Sequence, residues 1–297
     1  MKLNGKRILV TGSSGFVGKN LVEELKRQDA EVLTLADHDG RRIDIRDQQR
    51  VMRIINKIRN IDIVYHLAAI TSVPFSFENP RETYDVNVLG TLNILELCRS
   101  CNADKIVFAS SYVYGQPQYL PIDEEHPLQP TNPYARSKIL GEELCRAYNT
   151  DFGVKCIILR PFNIYGVGQN KNFLIPSIIA QLRYEKIELK DPEPKRDFIY
   201  ISDIIEAYIN AVEFKGDFEV FNIGYGKSYS VKEIIDKIVY LYGKDVKVKY
   251  SGERRKNEIM DTIANIKKAK EKLGWKPRVE IDKGLSNILN DLRGNDK

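Results

Sequence analysis

The first half of the chain alternates short apolar runs with longer segments of helical periodicity, and this alternation constrains the fold more than any other feature. Arg7–Thr11 and Ile61–His66 have the composition of buried strands, and a segment with helical spacing of apolar residues follows each of them. Repeated strand–helix–strand order with nearly all-apolar strands is typical of a parallel sheet covered by helices on both faces. We therefore predict an α/β fold with a doubly wound parallel sheet, which binds ligands at the carboxyl ends of its strands.

Further elements continue this alternation as far as Arg160. The other predicted strands are Val32–Ala36, Lys105–Ala109 and Lys155–Leu159. The first predicted helix follows the first strand and ends at about Gln28, and the later ones cover about Asp47–Arg59, Arg81–Ser100 and Pro133–Asp151. Beyond Arg160 prolines interrupt the pattern and the elements shorten, which indicates a second, smaller mixed α/β lobe. We predict a larger domain of residues 1–163 and about 196–225, whose Val220–Gly224 segment returns to the main sheet, and a lobe of about 164–195 and 226–297.

Composition excludes several other classes of protein. With 297 residues, 42% of them hydrophobic and 29% charged, the chain is neither mainly disordered nor collagen-like. The formal net charge of +5 is small, and basic and acidic residues are interspersed along the chain, so we predict no nucleic-acid partner. No apolar run approaches the ~20 residues of a membrane span. The segment MKLNGKRILVTG lacks the features of a signal peptide, so we expect a cytoplasmic protein with reduced cysteines. The four cysteines and three histidines are not spaced for a metal site, and none is predicted.

A glycine-rich turn follows the first predicted strand and precedes the first helix. Glycines in such a turn let a pyrophosphate approach the backbone, and the helix N-terminus supplies free N–H donors. The spacing here is G-x-x-G-x-x-G, so only the last two glycines fit the usual dinucleotide fingerprint, but the position after a strand favours dinucleotide binding. The candidate cofactor-binding residues of this turn are Gly12, Ser14, Gly15, Phe16, Val17 and Gly18.

Asp37 ends the second predicted strand and lies 19 residues past Gly18. A carboxylate at this position accepts hydrogen bonds from the adenosine ribose and repels a 2′-phosphate, so we predict NAD rather than NADP as the cofactor. Arg41 and Arg42 lie nearby and leave NADP as an alternative.

Tyr134 and Lys138 are four residues apart in a predicted helix and therefore share a face. A nearby ammonium lowers the pKa of a tyrosine from about 10 and makes the phenol a usable acid or base. Tyr240 and Lys244 have the same spacing, so the pair alone is weak evidence. Only Tyr134 has a serine, Ser110, at the end of an earlier core strand, where its hydroxyl would contact the same substrate oxygen.

These motifs together resemble those of the extended short-chain dehydrogenase/reductases, and in particular the NAD-dependent nucleotide-sugar epimerase/dehydratase group. Within that group the resemblance is to the UDP-glucose 4-epimerases. The resemblance extends from about Lys6 to Pro277 and rests on TGSSGFVG (11–18), HLAA (66–69), NVLGT (87–91), SSYVYG (110–115), NPYARSK (132–138), LRPFNIYG (159–166), RDFIYISD (196–203) and LGWKP (273–277).

The resemblance implies roles for residues that the motifs alone do not assign. Ser110, Tyr134 and Lys138 match the catalytic triad, and Lys138 would also hold the nicotinamide ribose. The other implied cofactor contacts are Asp44, Ile45, Leu67, Ala68, Ala69 and Asn87, and the implied substrate contacts are Ser111, Asn163, Arg196 and Arg255. Arginines suit a diphosphate because their guanidinium groups bind its oxygens in pairs.

The sequence departs from parts of the family in two places. Dehydratases place Asp-Glu directly after the catalytic Ser or Thr, whereas this chain has Ser111 and Tyr112, so 4,6-dehydration is not expected. Around Arg255 the stretch RKNEIMDTIAN differs from the R-P-G-E of 4-epimerases and is similar to members that act on GDP-sugars. The nucleotide therefore stays open among UDP, GDP and dTDP.

The resemblance leads us to expect an NAD-dependent nucleotide-sugar epimerase that acts at C4 of a hexose through a transient 4-keto sugar. An NAD(P)H-dependent reductase of a 4-keto-6-deoxy sugar is the alternative, and a non-catalytic dinucleotide sensor is a third hypothesis. The family also implies a homodimer, formed through the helices around Asn93 and Leu140.

Overall fold

The computed structural model describes residues 3–36, 40–57, 60–254 and 258–295. Its strands are β1 Arg7–Thr11, β2 Glu31–Thr34, β3 Ile63–His66, β4 Lys105–Ala109, β5 Cys156–Pro161, β6 Asn163–Tyr165, β7 Lys186–Leu189, β8 Lys195–Tyr200, β9 Phe218–Ile223, β10 Ser228–Ser230 and β11 Lys247–Tyr250. Its α-helices are α1 Phe16–Arg27, α2 Gln48–Lys57, α3 Val73–Glu78, α4 Pro80–Tyr84, α5 Gly90–Cys101, α6 Pro133–Phe152, α7 Leu174–Gln181, α8 Ile201–Glu213, α9 Val231–Tyr242, α10 Lys267–Leu273 and α11 Ile281–Asn295.

Six strands form one parallel sheet in the order β2-β1-β3-β4-β5-β9. Successive strand residues face opposite sides, so Ile8 and Val10 of β1 lie in one apolar core and Leu9 lies in the other. Helices α1 and α8 contribute to the first core, and α5 and α6 contribute to the second. The doubly wound parallel sheet predicted from the sequence is therefore confirmed.

Local signals explain where the long helix α6 begins and ends. The side chain of Asn132 accepts a hydrogen bond from the backbone N–H of Ala135 (2.8 Å), and Pro133 occupies the first turn. Gly153 ends the helix in the left-handed conformation with φ of 71°. The observed helix agrees with the prediction to within one residue.

The helix predicted over Arg81–Ser100 is interrupted. A π-helical turn, Asp85–Leu89, separates α4 from α5 and contains Asn87. Single π-turns of this kind cannot be read from apolar spacing, and they occur often at functional sites.

The part of the chain beyond β5 builds two small sheets, β10-β8-β6 and β11-β7, and returns β9 to the edge of the main sheet. The return of Val220–Gly224 is thus confirmed, whereas β8, which we assigned mostly to the larger domain, pairs with β6 and β10. The predicted division into two domains stays a prediction. Among the described residues, no helix combines the length and apolar character needed to cross a membrane.

Candidate active site

The glycine-rich turn brings the end of β1 against the segment that follows β3. Gly12 has φ of +68°, and a Cβ there would lie 2.7 Å from the backbone nitrogen of Ala68. A Cβ on Gly18 would lie 2.1 Å from the carbonyl oxygen of Gly12, so both positions require glycine. Gly15 is the N-cap of α1, no side chain caps this helix, and its first turn contains no acidic residue. The turn therefore offers backbone N–H groups to an anion, as a dinucleotide pyrophosphate requires.

A buried histidine holds this turn together and was missed by the sequence analysis. His66 is 1% exposed and bonds Thr11 Oγ1 through Nδ1 (2.7 Å) and Thr91 Oγ1 through Nε2 (3.0 Å). Thr91 Oγ1 donates its own proton to the carbonyl of Asn87 (2.6 Å), so it must accept from His66 Nε2–H. Burial lowers the pKa of His66 to about 3, with the Lys138 charge as a second cause. His66 is therefore a neutral imidazole.

The relay from His66 reaches the predicted cofactor contacts Leu67 and Ala68. Thr11 Oγ1 accepts hydrogen bonds from the backbone N–H groups of both residues (3.1 Å each), and Ala69 follows in the same segment. The order of the motifs TG and HLAA in the sequence could have indicated this contact, because β1 and β3 are neighbours in the sheet.

Asn87 ties the same segment to α6. Its side-chain oxygen accepts from Ile70 N (2.8 Å), and its amide nitrogen donates to Ile70 O (3.0 Å) and to Ser137 Oγ (2.9 Å). Ser137 Oγ in turn donates to the carbonyl of Tyr134 (2.7 Å). The predicted cofactor segment and the predicted catalytic helix are thus joined through one buried side chain.

Two other implied cofactor contacts lie near the end of the second strand. Ile45 is 6% exposed and packs closely on Gly90. A Cβ on Gly90 would lie 2.5 Å from the Ile45 side chain. The carboxylate of Asp44 binds Arg46 Nε (2.9 Å), and this hydrogen bond holds the pKa of Asp44 below its usual value. Asp37 falls outside the described residues, so its role stays a prediction.

One face of α6 meets the end of β4 at successive turns. Tyr134 lies beside Ser111, and Lys138 Nζ donates to the carbonyl oxygen of Ala109 (2.7 Å). One turn further along, Glu142 accepts a hydrogen bond from Ser110 Oγ. Tyr134, Lys138 and both serines therefore lie where α6 packs on the end of β4, but the Ser110 hydroxyl, which we expected beside the Tyr134 phenol, binds Glu142.

The electrostatics of this pair differ from the expectation. We expected the ammonium of Lys138 to lower the pKa of Tyr134, but burial raises it, and the Ser111 hydroxyl opposes the rise. Burial also lowers the pKa of Lys138 to about 8, against a smaller opposing effect of Glu142. Both shifts have the same physical reason, which is the cost of holding a charge away from water.

The competing pair, Tyr240 and Lys244, has no such environment. Tyr240 is 85% exposed, and α9 ends at Tyr242, so this pair is a surface coincidence of spacing. Burial therefore separates the two tyrosine–lysine pairs that spacing could not.

Two of the implied substrate contacts, Asn163 and Arg196, lie on the small sheet β10-β8-β6. Asn163 in β6 pairs in register with Phe198 in β8, two residues from Arg196. Arg196 donates to the carbonyl of Ile259 (2.6 Å) and forms an ion pair with Glu258. The Arg196 charge also acts on Tyr112, whose pKa burial raises and Arg196 partly lowers. Arg255 lies outside the described residues, and its contact with a diphosphate stays a prediction.

A buried ion pair behind the serines was also missed. Arg160 Nε donates to Glu142 Oε1 (2.9 Å), and each side chain is 5% exposed. These residues come from β5 and α6; Arg160 belongs to the motif LRPFNIYG, but the sequence analysis assigned no role to it or to Glu142. The sequence did contain a signal for this pair, namely an arginine within the apolar run that ends in LRPF. A charged side chain in a core strand requires an oppositely charged partner.

Comparisons with known proteins agree with this geometry. Residues 8–224 match the model of the NAD dependent epimerase/dehydratase family. A Methanocaldococcus jannaschii protein with a provisional UDP-glucose 4-epimerase name is 37% identical, covering 98% of this chain and 99% of the relative. The GDP-6-deoxy-D-mannose reductase of Pseudomonas aeruginosa is 31% identical over 96% of this chain and 97% of its own.

A solved structure extends the comparison to the fold. The crystal structure of a Thermotoga maritima UDP-glucose 4-epimerase with UDP-glucose superimposes with a TM-score of 0.90 at 29% identity. The match covers 98% of this chain and 100% of the Thermotoga chain.

Proposed function

Because this chain belongs to the NAD-dependent epimerase/dehydratase family, we propose that it interconverts the C4 epimers of a nucleotide hexose through a transient 4-keto sugar. The observation that carries the proposal is the meeting of Tyr134, Lys138 and the serine pair at the end of β4, joined through Asn87 to the glycine turn. This arrangement combines a proton-transfer group with a dinucleotide-binding turn, and epimerisation by oxidation and reduction at one carbon needs both.

The residues of the glycine turn fit NAD. Gly12 and Gly18 leave the space that a Cβ would fill, and the uncapped N-terminus of α1 supplies donors for the pyrophosphate. Leu67, Ala68 and Asn87 would line the cofactor, and Lys138 would hold its ribose. When bound, NAD supplies the acceptor and then the donor of the hydride at the substrate carbon.

Tyr134 is the proposed acid and base. Its phenolate would take the proton of the C4 hydroxyl, and its phenol would return that proton after the sugar presents its other face. Because burial raises the pKa of Tyr134, the ionised phenol needs nearby support, which the Lys138 ammonium and a serine hydroxyl can give.

The side chains after Ser110 do not suit a 4,6-dehydratase. Loss of water from the hexose needs an acid and a base beside the catalytic hydroxyl. Here the Tyr112 hydroxyl donates to the carbonyl of Gly115 (2.6 Å), and burial raises the pKa of this phenol. Neither Ser111 nor Tyr112 can replace the carboxylate pair, so the hydride is expected to return to C4.

A direct experiment distinguishes epimerase from reductase. Purified protein is incubated with UDP-glucose, GDP-mannose or dTDP-glucose without added nicotinamide, and the products are followed by proton NMR. We expect a mixture of C4 epimers from one of these sugars, with no deuterium at C4 when the solvent is D₂O. Conversion only of a 4-keto-6-deoxy sugar with stoichiometric NAD(P)H would instead establish the reductase, which the UDP-glucose 4-epimerase relatives do not favour.

We also propose self-association through α5 and α6. Leu140 on α6 is 42% exposed, and Leu89, which precedes α5, is 43% exposed. Asn93 faces inward and donates to the carbonyl of Ile45 (2.8 Å), so it would not lie in the interface. The homodimer and the cytoplasmic location both stay predictions, and sedimentation analysis would test the first.

A further inference from the structure

A line of buried hydrogen bonds runs from α6 toward the small sheet β10-β8-β6. It begins at Glu142, whose carboxylate accepts from Arg160 Nε (2.9 Å) and from Arg160 Nη2 (2.5 Å). Arg160 Nη1 donates to the hydroxyl of Tyr114 (3.0 Å), and that hydroxyl donates to Asn222 Oδ1 (2.5 Å). None of these four residues is more than 4% exposed. We call their side chains the buried network.

The line of hydrogen bonds continues beyond Asn222 through backbone groups. Asn222 Nδ2 donates to the carbonyl of Ile122 (3.0 Å). Ile122 N donates to the carbonyl of Ile263, and the carbonyl of Ile122 accepts from Asn265 N (2.7 Å each). The segment 258–266 is therefore joined to α6 through the buried network.

The same segment holds the guanidinium of Arg196. Arg196 Nη1 donates to the carbonyl of Ile259 (2.6 Å), and Nη2 pairs with Glu258. The carboxylate of the next residue, Asp197, is fully buried and accepts from the backbone N–H of Ala264 (3.0 Å). The expected diphosphate contact thus lies at the far end of a continuous line of hydrogen bonds that begins on α6.

A buried polar network holds positions better than it adds stability. A buried ion pair recovers little more than the cost of removing its charges from water, and replacement by apolar side chains of similar volume is often neutral or stabilising. Hydrogen bonds have preferred directions, so a connected set of them fixes the relative positions of its members more narrowly than apolar contacts do. The buried network is therefore suited to fixing a distance between the segments that it joins.

The proposed reaction depends on one such distance. A nucleotide hexose must place its C4 hydroxyl at Tyr134 on α6 while the diphosphate at C1 lies at Arg196 on β8. Strand β8 pairs with β6 and β10 and does not belong to the main sheet. We propose that the buried network sets the separation between Tyr134 and Arg196. Tyr114 and Asn222 are thus positioning residues, and their role rests on the proposed function, because only a substrate that reaches both sites makes the separation matter.

The first experiment removes one atom of the network. Tyr114→Phe deletes the hydroxyl between Arg160 and Asn222 in the full-length protein with bound NAD. A displacement of about 1 Å at the reacting groups can cost ~10²-fold in rate, so we expect kcat to fall roughly 10- to 100-fold. The assay uses whichever sugar the wild type converts among UDP-glucose, GDP-mannose and dTDP-glucose. Affinity for the matching UDP, GDP or dTDP should change little in a calorimetric titration, because Arg196 keeps its own contacts.

Tyr65→Phe is the matched control for this substitution. Tyr65 and Tyr114 are both fully buried, and the Tyr65 hydroxyl donates to the carbonyl of Tyr208 (3.2 Å), outside the network. Both variants lose a buried hydroxyl that makes a hydrogen bond, so the Tm should fall in both, whereas kcat should fall only in Tyr114→Phe. Equal losses of kcat in the two variants, or a normal kcat in Tyr114→Phe, would overturn the proposal.

Asn222→Ala tests whether Tyr114 and Asn222 act together. If both residues act through one network, the double variant should lose about as much kcat as the more damaged single variant. Losses that multiply in the double variant would show two separate local effects and would contradict a shared network.

A further measurement does not depend on any sugar. Hydrogen exchange of backbone amides, followed by mass spectrometry, should become faster in peptides 118–126 and 258–266 of both network variants, because these peptides contain the amides of Ile122 and Asn265. The glycine turn should keep its wild-type exchange rate in the same samples, and the control variant should leave both peptides unchanged.

The exchange data separate the two proposals. If the wild type converts no nucleotide hexose, the proposed function fails, while the exchange rates still decide whether the buried network holds the segment 258–266. Unchanged exchange of that segment in both network variants would overturn the positioning role, even in an active epimerase.

Discussion

The glycine turn after β1 and the serine pair after β4 lie at the same edge of one sheet, yet they are built in different ways. The turn consists of backbone: its donors are N–H groups, and its shape depends on the missing side chains of Gly12 and Gly18. The serine pair depends on side chains from distant segments, among them Glu142 and Arg160, which carry opposite charges in a buried place.

This difference predicts different vulnerabilities. A site made of closely approaching backbone fails when atoms are added, because the neighbouring backbone cannot move away cheaply. A site made of buried charges and hydroxyls fails when a partner is removed, because the remaining group keeps its desolvation cost. Three measurements test this contrast.

The largest effect is expected at Tyr134. Tyr134→Phe removes only the phenolic oxygen, which lies near the serine pair and not in the glycine turn. Loss of a general acid and base lowers turnover by about 10²-fold or more. NAD binding and the Tm should change little, because the glycine turn is untouched. Tyr240→Phe is the matched control, since Tyr240 is 85% exposed. Similar losses of turnover in both variants, measured by NMR-detected epimerisation, would contradict the role of Tyr134.

An intermediate effect is expected at Gly18. Gly18→Ala adds one methyl group that would lie 2.1 Å from the carbonyl oxygen of Gly12, although alanine favours a helix. Overpacking of this kind costs about 1–3 kcal/mol, so NAD affinity should fall roughly 5- to 150-fold in a fluorescence titration.

The control for this measurement is Gly15→Ala in the same turn. Its Cβ would lie 3.2 Å from the same oxygen, so a smaller loss of affinity is expected. Equal affinities of the wild type and Gly18→Ala would show that the close approach at Gly18 does not control the cofactor site.

The smallest effect concerns His66, which supports the backbone site with a side chain. Since burial lowers its pKa to about 3, the folded state stays unprotonated while the unfolded chain takes up a proton below about 6.5. The stability contributed by neutral His66 is thus present above pH 6.5 and is lost as the pH falls toward 3. Between pH 7 and pH 5 this loss amounts to about 2 kcal/mol in the free energy of unfolding.

Urea unfolding of the wild type and His66→Gln at both pH values provides the measurement. The variant lacks the titrating group, so its stability should fall less between pH 7 and pH 5 than that of the wild type. The same pH dependence of stability in the two proteins would mean that His66 takes up its proton in the folded state as readily as in the unfolded chain, and the neutral relay between Thr11 and Thr91 would then be wrong.

The sequence predicted most of the elements because their signals are local. β1, β4 and β9 lie where their apolar runs predicted them, and α6 begins at an asparagine cap and ends at a glycine. The π-turn at Asp85–Leu89 was missed, because a single such turn inside a predicted helix has no residue composition of its own. The pairing of β8 with β6 and β10 was also missed, since strand composition does not specify a partner.

The sequence by itself determined the doubly wound sheet, the glycine turn and the family, since each depends on residues that are close in the chain. Only the tertiary structure distinguished Tyr134 from Tyr240, and Ser110 from Ser111, by burial and by hydrogen-bond partners. It also reversed the expected shift in the pKa of Tyr134. The physical reason is common to all three: desolvation and hydrogen-bond satisfaction depend on every segment that packs around a group, and most of those segments are remote in sequence.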